Sequence, residues 1–286
     1  MTAMNATPST SSAPATDAAL KYTRQVVLSK TVWLKDKLFS VRITRDPAFH
    51  FMPGQFARLG LPVGSSDGSP TEWRAYSMVS TPDDTELEFF SVVVPEGKFS
   101  PAMAGLEPGD SIYVDKTPFG FLTLDRFPDG QDLWLISTGT GLSAYLSMLR
   151  LESTWRQFRR IVVVHGVRLL NELAYQHELL GPIRELATQA GAELIYLPVP
   201  SRESLSGQVL THVARQDLVA PSRVTSLLQS GELETRAGIA LDPAVSRIML
   251  CGNPAMVTEM RTLLGERQFA PGRRGVPGNL AVENYW

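Results

Sequence analysis

The chain has 286 residues, enough for two domains of ordinary size, and its 43% hydrophobic and 20% charged content is that of a folded globular protein. A formal net charge of −2 excludes a chain organised around nucleic acid or an anionic membrane surface. The single cysteine, Cys251, excludes an internal disulfide and a cysteine-ligated iron–sulfur cluster of its own, and suits a reducing cytoplasm. No apolar run reaches the roughly 18 residues of a membrane span. Residues 1–20 are rich in Ser, Thr, Ala and Pro and lack a basic start and an apolar stretch, so they read as a disordered tail and not as a secretory signal. No metal site is expected.

From residue 21 to about 127 the pattern has period two. Strands are expected at 22–28, 39–44, 55–61, 74–80, 87–94 and 111–115, separated by turns such as Met52-Pro53-Gly54 and Pro108-Gly109-Asp110. Short antiparallel strands at this density predict a six-stranded β-barrel. In the fourth strand, alternation puts Arg74 and Tyr76 on one face and Ala75 and Ser77 on the other. These groups suit a nucleotide cofactor: Arg for phosphate oxygens, Tyr for stacking, Ser to donate to a ring nitrogen. Taken alone, R-x-Y-S describes an ordinary surface strand equally well. The run Val94-Pro95-Glu96-Gly97-Lys98-Phe99-Ser100-Pro101 passes through a glycine into a short helix over 100–106, with Ser100 as its N-cap and Pro101 at its first position. Free N–H groups beside Lys98 suit an anion. With Arg74 this makes two phosphate-suited places in one barrel, and the pyrophosphate of FAD accounts for both.

From residue 131 apolar strands at 133–137, 161–165, 193–199 and 247–251 alternate with helices at 142–151, 172–187 and 254–264. That order predicts an α/β domain with a parallel sheet covered on both faces, and Pro128-Asp129-Gly130 marks the boundary between domains 21–127 and 128–286. The first of these strands ends Ser137-Thr138-Gly139-Thr140-Gly141-Leu142-Ser143-Ala144, close to the G-x-G-x-x-A dinucleotide turn. An NAD site would place an acid at the tip of the next strand, but that strand ends His165-Gly166-Val167-Arg168 and the one after it Pro200-Ser201-Arg202. Two arginines and a serine suit a 2′-phosphate, hence NADP. Each arginine alone also reads as a solvated loop charge, and His165 reads as a buried structural residue. Met249-Leu250-Cys251-Gly252-Asn253-Pro254 ends another strand where ligands of such sheets gather. Cys251 there lies beside a nicotinamide or is a small buried hydrophobe. The last residues, Ala281-Val282-Glu283-Asn284-Tyr285-Trp286, place two aromatics better against a planar ring than in water.

Taken in order, RAYS at 74–77, PEGKFSP at 95–101, STGTG at 137–141, CGNP at 251–254 and the final VENYW make the chain resemble the bacterial ferredoxin/flavodoxin–NADP reductases that end in Tyr-Trp. The resemblance runs over residues 21–286. It implies a tightly but non-covalently held FAD on Arg74, Ala75, Tyr76 and Ser77, with Ser77 near the flavin N5. Val92, Val93 and Val94 would line the isoalloxazine or ribityl chain, and Lys98, Phe99 and Ser100 would hold the pyrophosphate through backbone amides. Thr140 would sit near both cofactors, Tyr285 against the flavin ring and Trp286 on the adenine. NADP(H) would take Thr140, Gly141, Val167, Arg168, Ser201, Arg202, Cys251, Gly252 and Asn253. Ser77, Cys251 and Glu283 match the polar residues around the hydride-transfer locus.

By the same resemblance, NADPH would give a hydride to the flavin, which would pass single electrons to ferredoxin or flavodoxin, with the reverse direction equally compatible. An acidic partner would meet a basic rim of Arg42, Arg45, Arg58 and Arg273-Arg274. A cytoplasmic monomer with no nucleic-acid or membrane partner is expected. One departure stands out. The further arginine that the subgroup carries in a Gly-Arg step after its Ser-Arg pair is replaced at Gly207-Gln208, which predicts a weaker preference for NADPH. Other readings are the reductase component of an oxygenase system, a free-flavin reductase, and a non-enzymatic FAD-binding redox sensor.

Overall fold

The computed structural model describes residues 21–204, 220–273 and 276–284. The expected tail at 1–20 and Gln208, Arg274, Tyr285 and Trp286 lie outside the described residues. Antiparallel strands β1 (Tyr22–Leu34), β2 (Leu38–Thr44), β3 (Phe56–Leu61), β4 (Glu72–Ser77), β5 (Glu86–Val92) and β6 (Ser111–Asp115) form one sheet in the order β4-β3-β6-β1-β2-β5. A bridge between Met78 and Phe89, and the Val79 N–H donating to the Glu88 carbonyl at 2.8 Å, join the two edges into the expected barrel. Alternate strand residues fill its interior, among them Val41, Ile43, Leu59, Leu87, Phe89 and Ile112. Helix α1 (Phe99–Ala104) plugs the interior with Phe99 and Met103.

Several boundaries differ from expectation for local reasons. β1 continues to Leu34 because its ladder with β2 continues, through Val32 opposite Phe39 and Leu34 opposite Leu38. Asp36, with φ of 58°, closes that hairpin. β4 stops at Ser77, where the chain crosses to bridge Phe89 of β5 at Met78, and β5 stops at Val92, beyond which the Val94 N–H donates to Ser100 Oγ at 2.9 Å. Ser100 is therefore not an N-cap. It lies inside α1, which starts after Lys98 with no side-chain cap.

The second sheet is parallel, with β7 (Asp132–Thr138), β8 (Arg160–Val167), β9 (Glu193–Pro200), β10 (Ser246–Gly252) and β11 (Leu280–Asn284) in the order β11-β10-β7-β8-β9. Its strands are apolar on both faces. Leu133 and Leu135 join one core, and Trp134 and Ile136 the other. Helices α2 (Ser143–Leu149), α3 (Glu152–Gln157), α4 (Gln176–Glu178) and α5 (Arg184–Gln189) follow β7 and β8. Helices α6 (Val224–Ser230), α7 (Glu232–Ala237) and α8 (Pro254–Glu266) follow β9 and β10. The single helix expected over 172–187 is broken: Tyr175 is left-handed, with φ of 60°, and a π turn at Leu179–Ile183 carries Pro182, which has no N–H to continue an α ladder. The periodicity left α3, α6, α7 and β11 unread. Among the described residues no helix is long and apolar enough to cross a membrane.

The barrel sits against the α2 side of the sheet. Leu38, Val79 and Phe90 share a core with Leu146 and Leu149. Ser147 Oγ donates to the Ser80 carbonyl at 2.6 Å, and Arg150 reaches the Val79 carbonyl at 2.9 Å and Glu88 at 3.1 Å. Arg150 also pairs with Glu178 at 2.6 Å, and the Tyr175 hydroxyl donates to Glu88 at 2.8 Å. A buried guanidinium with two carboxylates is satisfied, so the seam is held by hydrogen-bonded charge as well as by apolar area.

Candidate functional site

Strand order reverses between β7 and β10, and chains cross there from one face of the sheet to the other. Such a switch point opens a crevice at the carboxyl ends of the strands. Here it continues into the barrel edge as a cleft of about 920 Å³. The tips of β7 and β10 are tied together: the Asn253 N–H donates to Thr138 Oγ1 at 2.9 Å. Gly252, at φ of 131°, makes this possible, since a Cβ there would fall 2.4 Å from the same oxygen. Thr138, Gly139, Thr140, Gly252 and Asn253 line the cleft. Gly141 and Cys251 do not. A Cβ on Gly141 would meet the Cys251 carbonyl oxygen at 2.6 Å, and Cys251 is wholly buried in the core, so both lie behind the wall. Asn253 spends its side chain capping α8, accepting from the Ala255 and Met256 N–H groups at 2.9 and 3.3 Å.

One end of the cleft is cationic. Val167 ends β8 and Arg168 follows it, Ser201 and Arg202 follow β9, and all four line the cleft. The ladder continues past the strands, with the Ser201 N–H on the Val167 carbonyl at 2.9 Å and the Arg202 N–H on the Arg168 carbonyl at 3.0 Å, so the two arginines start side by side. The reading of a missing arginine changes here. Arg223, at the start of α6, lines the same cleft with Ser222, and no motif had singled it out. All three arginines are exposed. Burial would raise the Glu172 carboxyl, but Lys37 and the Arg168 N–H outweigh it and hold it below the usual carboxylate range.

The barrel side of the cleft is strand-built, with Asp36 and Lys37 of the β1–β2 turn beside it. Val92, Val93 and Val94 line the cleft, and Tyr76 on β4 packs its ring 5.7 Å from Phe99 and places its hydroxyl 3.2 Å from Ser91 Oγ. Burial pushes the Tyr76 phenol up. Arg74 and Ala75 are exposed beside it, Arg74 donating to the Trp73 carbonyl at 2.7 Å, while Lys98 lies 3.9 Å from Glu72. Ser77 ends β4 opposite Phe56. Phe56 in turn bridges to Phe119, and a Cβ on Gly120 would meet Glu283 Oε2 at 2.8 Å and the Phe56 ring at 3.0 Å. Glu283 lies opposite Cys251 in the β10–β11 pairing. Ser77, Cys251 and Glu283 thus come from three strands to one region. Burial pushes the Glu283 carboxyl up to about 7, against a hydrogen bond from the Phe121 backbone. Ser77 Oγ and Glu283 Oε1 are buried with no hydrogen-bond partner among the described residues. Orphaned buried polar atoms beside an aromatic strand fit a planar, heteroatom-rich ring such as a flavin.

His165 stands apart, as expected. Burial pushes it down to about 4, and its Nε2 lies 3.1 Å from the Gly139 carbonyl, so it is a neutral support for the first loop. The basic rim is thinner than expected. Arg45 is spent on the Phe49, Pro82 and Asp84 carbonyls, Arg42 faces Glu86 and Glu88, and Arg58 lies over Trp73 and near Asp115.

A barrel docked on a doubly wound parallel sheet, with a phosphate-suited cleft at the switch point, defines a two-domain nucleotide-dependent oxidoreductase. Residues 135–262 match the family described as the oxidoreductase NAD-binding domain. The chain is 38% identical over 252 residues to the flavodoxin/ferredoxin–NADP reductase of Escherichia coli strain K12, covering 88% of this chain and 94% of that one. It is 37% identical over 267 residues to ferredoxin–NADP reductase A of Sorangium cellulosum, covering 92% and 89%. A ferredoxin NADP+ reductase from Neisseria gonorrhoeae, solved with bound FAD and NADP, superposes with a TM-score of 0.81 at 31% identity, covering 93% of this chain and all of that one. The chain belongs to the flavodoxin/ferredoxin–NADP reductase family.

Proposed function

We propose that this chain is an FAD-dependent oxidoreductase that exchanges reducing equivalents between NADP(H) and a ferredoxin or flavodoxin. Two observations carry the reading: three exposed arginines on one cleft at the strand tips, and two buried oxygens, Ser77 Oγ and Glu283 Oε1, with no hydrogen-bond partner among the described residues. When bound, FAD supplies the conversion between two-electron exchange with a nicotinamide and one-electron exchange with a protein partner.

The chain's own residues bind, orient and exclude water. Tyr76 offers a buried ring face, and the orphaned Ser77 hydroxyl is free to donate to a ring nitrogen. Val92, Val93 and Val94 wall the ring off from solvent. Arg74, Lys98 and the backbone of Phe99 and Ser100 take the pyrophosphate. Thr138 and Thr140 stand where the two cofactors meet, and Arg168, Ser201, Arg202, Ser222 and Arg223 take the coenzyme's adenosine 2′-phosphate through charge-assisted hydrogen bonds. Cys251, behind the wall, supports the nicotinamide position without exposing its thiol. Residues 21–127 form the FAD domain and 128–286 the NADP domain, in a cytoplasmic monomer with an acidic protein partner.

The visible spectrum of the purified protein, before and after anaerobic NADPH, tests this reading. The expected result is a flavin spectrum that bleaches faster with NADPH than with NADH. A colourless protein, or a yellow one that NADPH leaves oxidised, overturns it.

A further inference from the structure

The β1–β2 turn of the barrel reaches across the seam into the coenzyme end of the cleft. Lys37 Nζ pairs with Glu172, and Glu172 Oε2 accepts the Arg168 backbone N–H at 3.0 Å. The side chain of Glu172 is only 9% exposed, so its carboxylate depends on these partners. Because the Arg202 N–H rests on the Arg168 carbonyl, fixing Arg168 fixes the root of both arginine loops. The other charged contact across the seam, from Arg150 to Glu88, leaves the cleft wall alone, whereas Lys37 and Glu172 line it. The domains thus stay docked without Lys37, and its loss is felt at the arginines.

We propose that Lys37 and Glu172 form a positioning pair, contributed by both domains, that presets the Arg168–Arg202 loops for the 2′-phosphate of the coenzyme. The proposal rests on the reading of this cleft as an NADPH site. Lys37 acts through Glu172 and does not touch the phosphate: its charge is already neutralised by a carboxylate, and its role is to hold that carboxylate under the Arg168 amide. The pair is remote from the reacting atoms, so it sets coenzyme affinity and leaves the chemical step alone.

The test uses the FAD-loaded full chain with Lys37→Met, Lys37→Arg, Glu172→Ala and the Lys37→Met/Glu172→Ala double variant. Lys37→Met and Glu172→Ala are each expected to raise the Kd of 2′-phospho-AMP and the KM for NADPH by about three- to tenfold, with kcat for ferricyanide unchanged. The double variant is expected to be no worse than the worse single one, and Lys37→Arg to retain parental affinity. Amide exchange at Arg168 should speed up in Lys37→Met whether or not coenzyme is present. Unchanged affinity with unchanged Arg168 exchange overturns the proposal, as does an additive loss in the double variant, which would mean that Lys37 contacts the phosphate itself. A parent that ignores 2′-phospho-AMP would sink the NADPH reading of the cleft, while Arg168 exchange would still judge the pair.

Discussion

The arginine-lined cleft and the Ser77–Glu283 region are built on opposite principles. At the coenzyme end, Arg168, Arg202 and Arg223 ride exposed on loop tips, where water solvates them at no cost to the fold. In the other region, Ser77 and Glu283 sit on strands, each with a buried oxygen that has no hydrogen-bond partner among the described residues. Such an orphan costs about 1–3 kcal/mol. Selectivity among coenzymes can therefore be placed on charges that stability does not feel. The two orphaned oxygens instead carry a cost that a bound ring donating to them would relieve.

The largest expected effect separates these costs. Ser77→Ala removes an orphaned hydroxyl, so the melting temperature of the FAD-free protein should hold or rise slightly. If that hydroxyl orients the ring, kcat should nonetheless fall by about 100-fold, as when one donor is lost from a preorganised site. Steady-state turnover and a thermal melt on the same preparation check both. A destabilised variant with parental kcat would make Ser77 a structural residue and erase the contrast.

At the other end the signs reverse. Arg223→Ala should leave the melting temperature within error and raise the KM for NADPH about tenfold or more, the equivalent of one charge-assisted phosphate contact. NADH kinetics should barely move. An equal loss for both coenzymes would place Arg223 on some other part of the nucleotide.

Arg223 also marks where reading the chain ends. The barrel and the parallel sheet are legible because period-two runs and short apolar strands are local signals. Arg74 to Ser77, and Thr138 to Gly141, are legible because neighbours in the chain remain neighbours in the site. Arg223 belongs to no motif, and only the placement of α6 beside the β8 and β9 tips brings it to the cleft. The expectation at Gln208 looked only nearby in the chain, whereas Arg223, further on, also lines the cleft. Lys37 is less legible still, since its partner lies across the domain seam. Ser100 misled differently: the sequence Ser-Pro looks like a helix start, but Val94 claims the hydroxyl and the N-cap position falls two residues earlier, at Lys98.

The smallest effect asks whether the buried end titrates as its geometry requires. Burial holds the folded Glu283 pKa at about 7, above its ordinary value, so the folded state binds a proton more tightly than the unfolded chain. The stabilising contribution is complete below the ordinary pKa and is lost as pH rises through about 7. Glutamine carries no such charge. The melting temperature of Glu283→Gln should match the parent near pH 5 and exceed it by a few °C near pH 8, from a loss of about 1–2 kcal/mol at this partly open site. Melts across that range measure the gap, and parallel curves would mean that the carboxylate is solvated when charged. The same melts on FAD-loaded protein sharpen the comparison between the two ends. A ring donor reaching Glu283 Oε1 would favour the carboxylate, lower its pKa, and so shrink the divergence and move it to lower pH or abolish it, whereas a flavin seated elsewhere would leave it near 7.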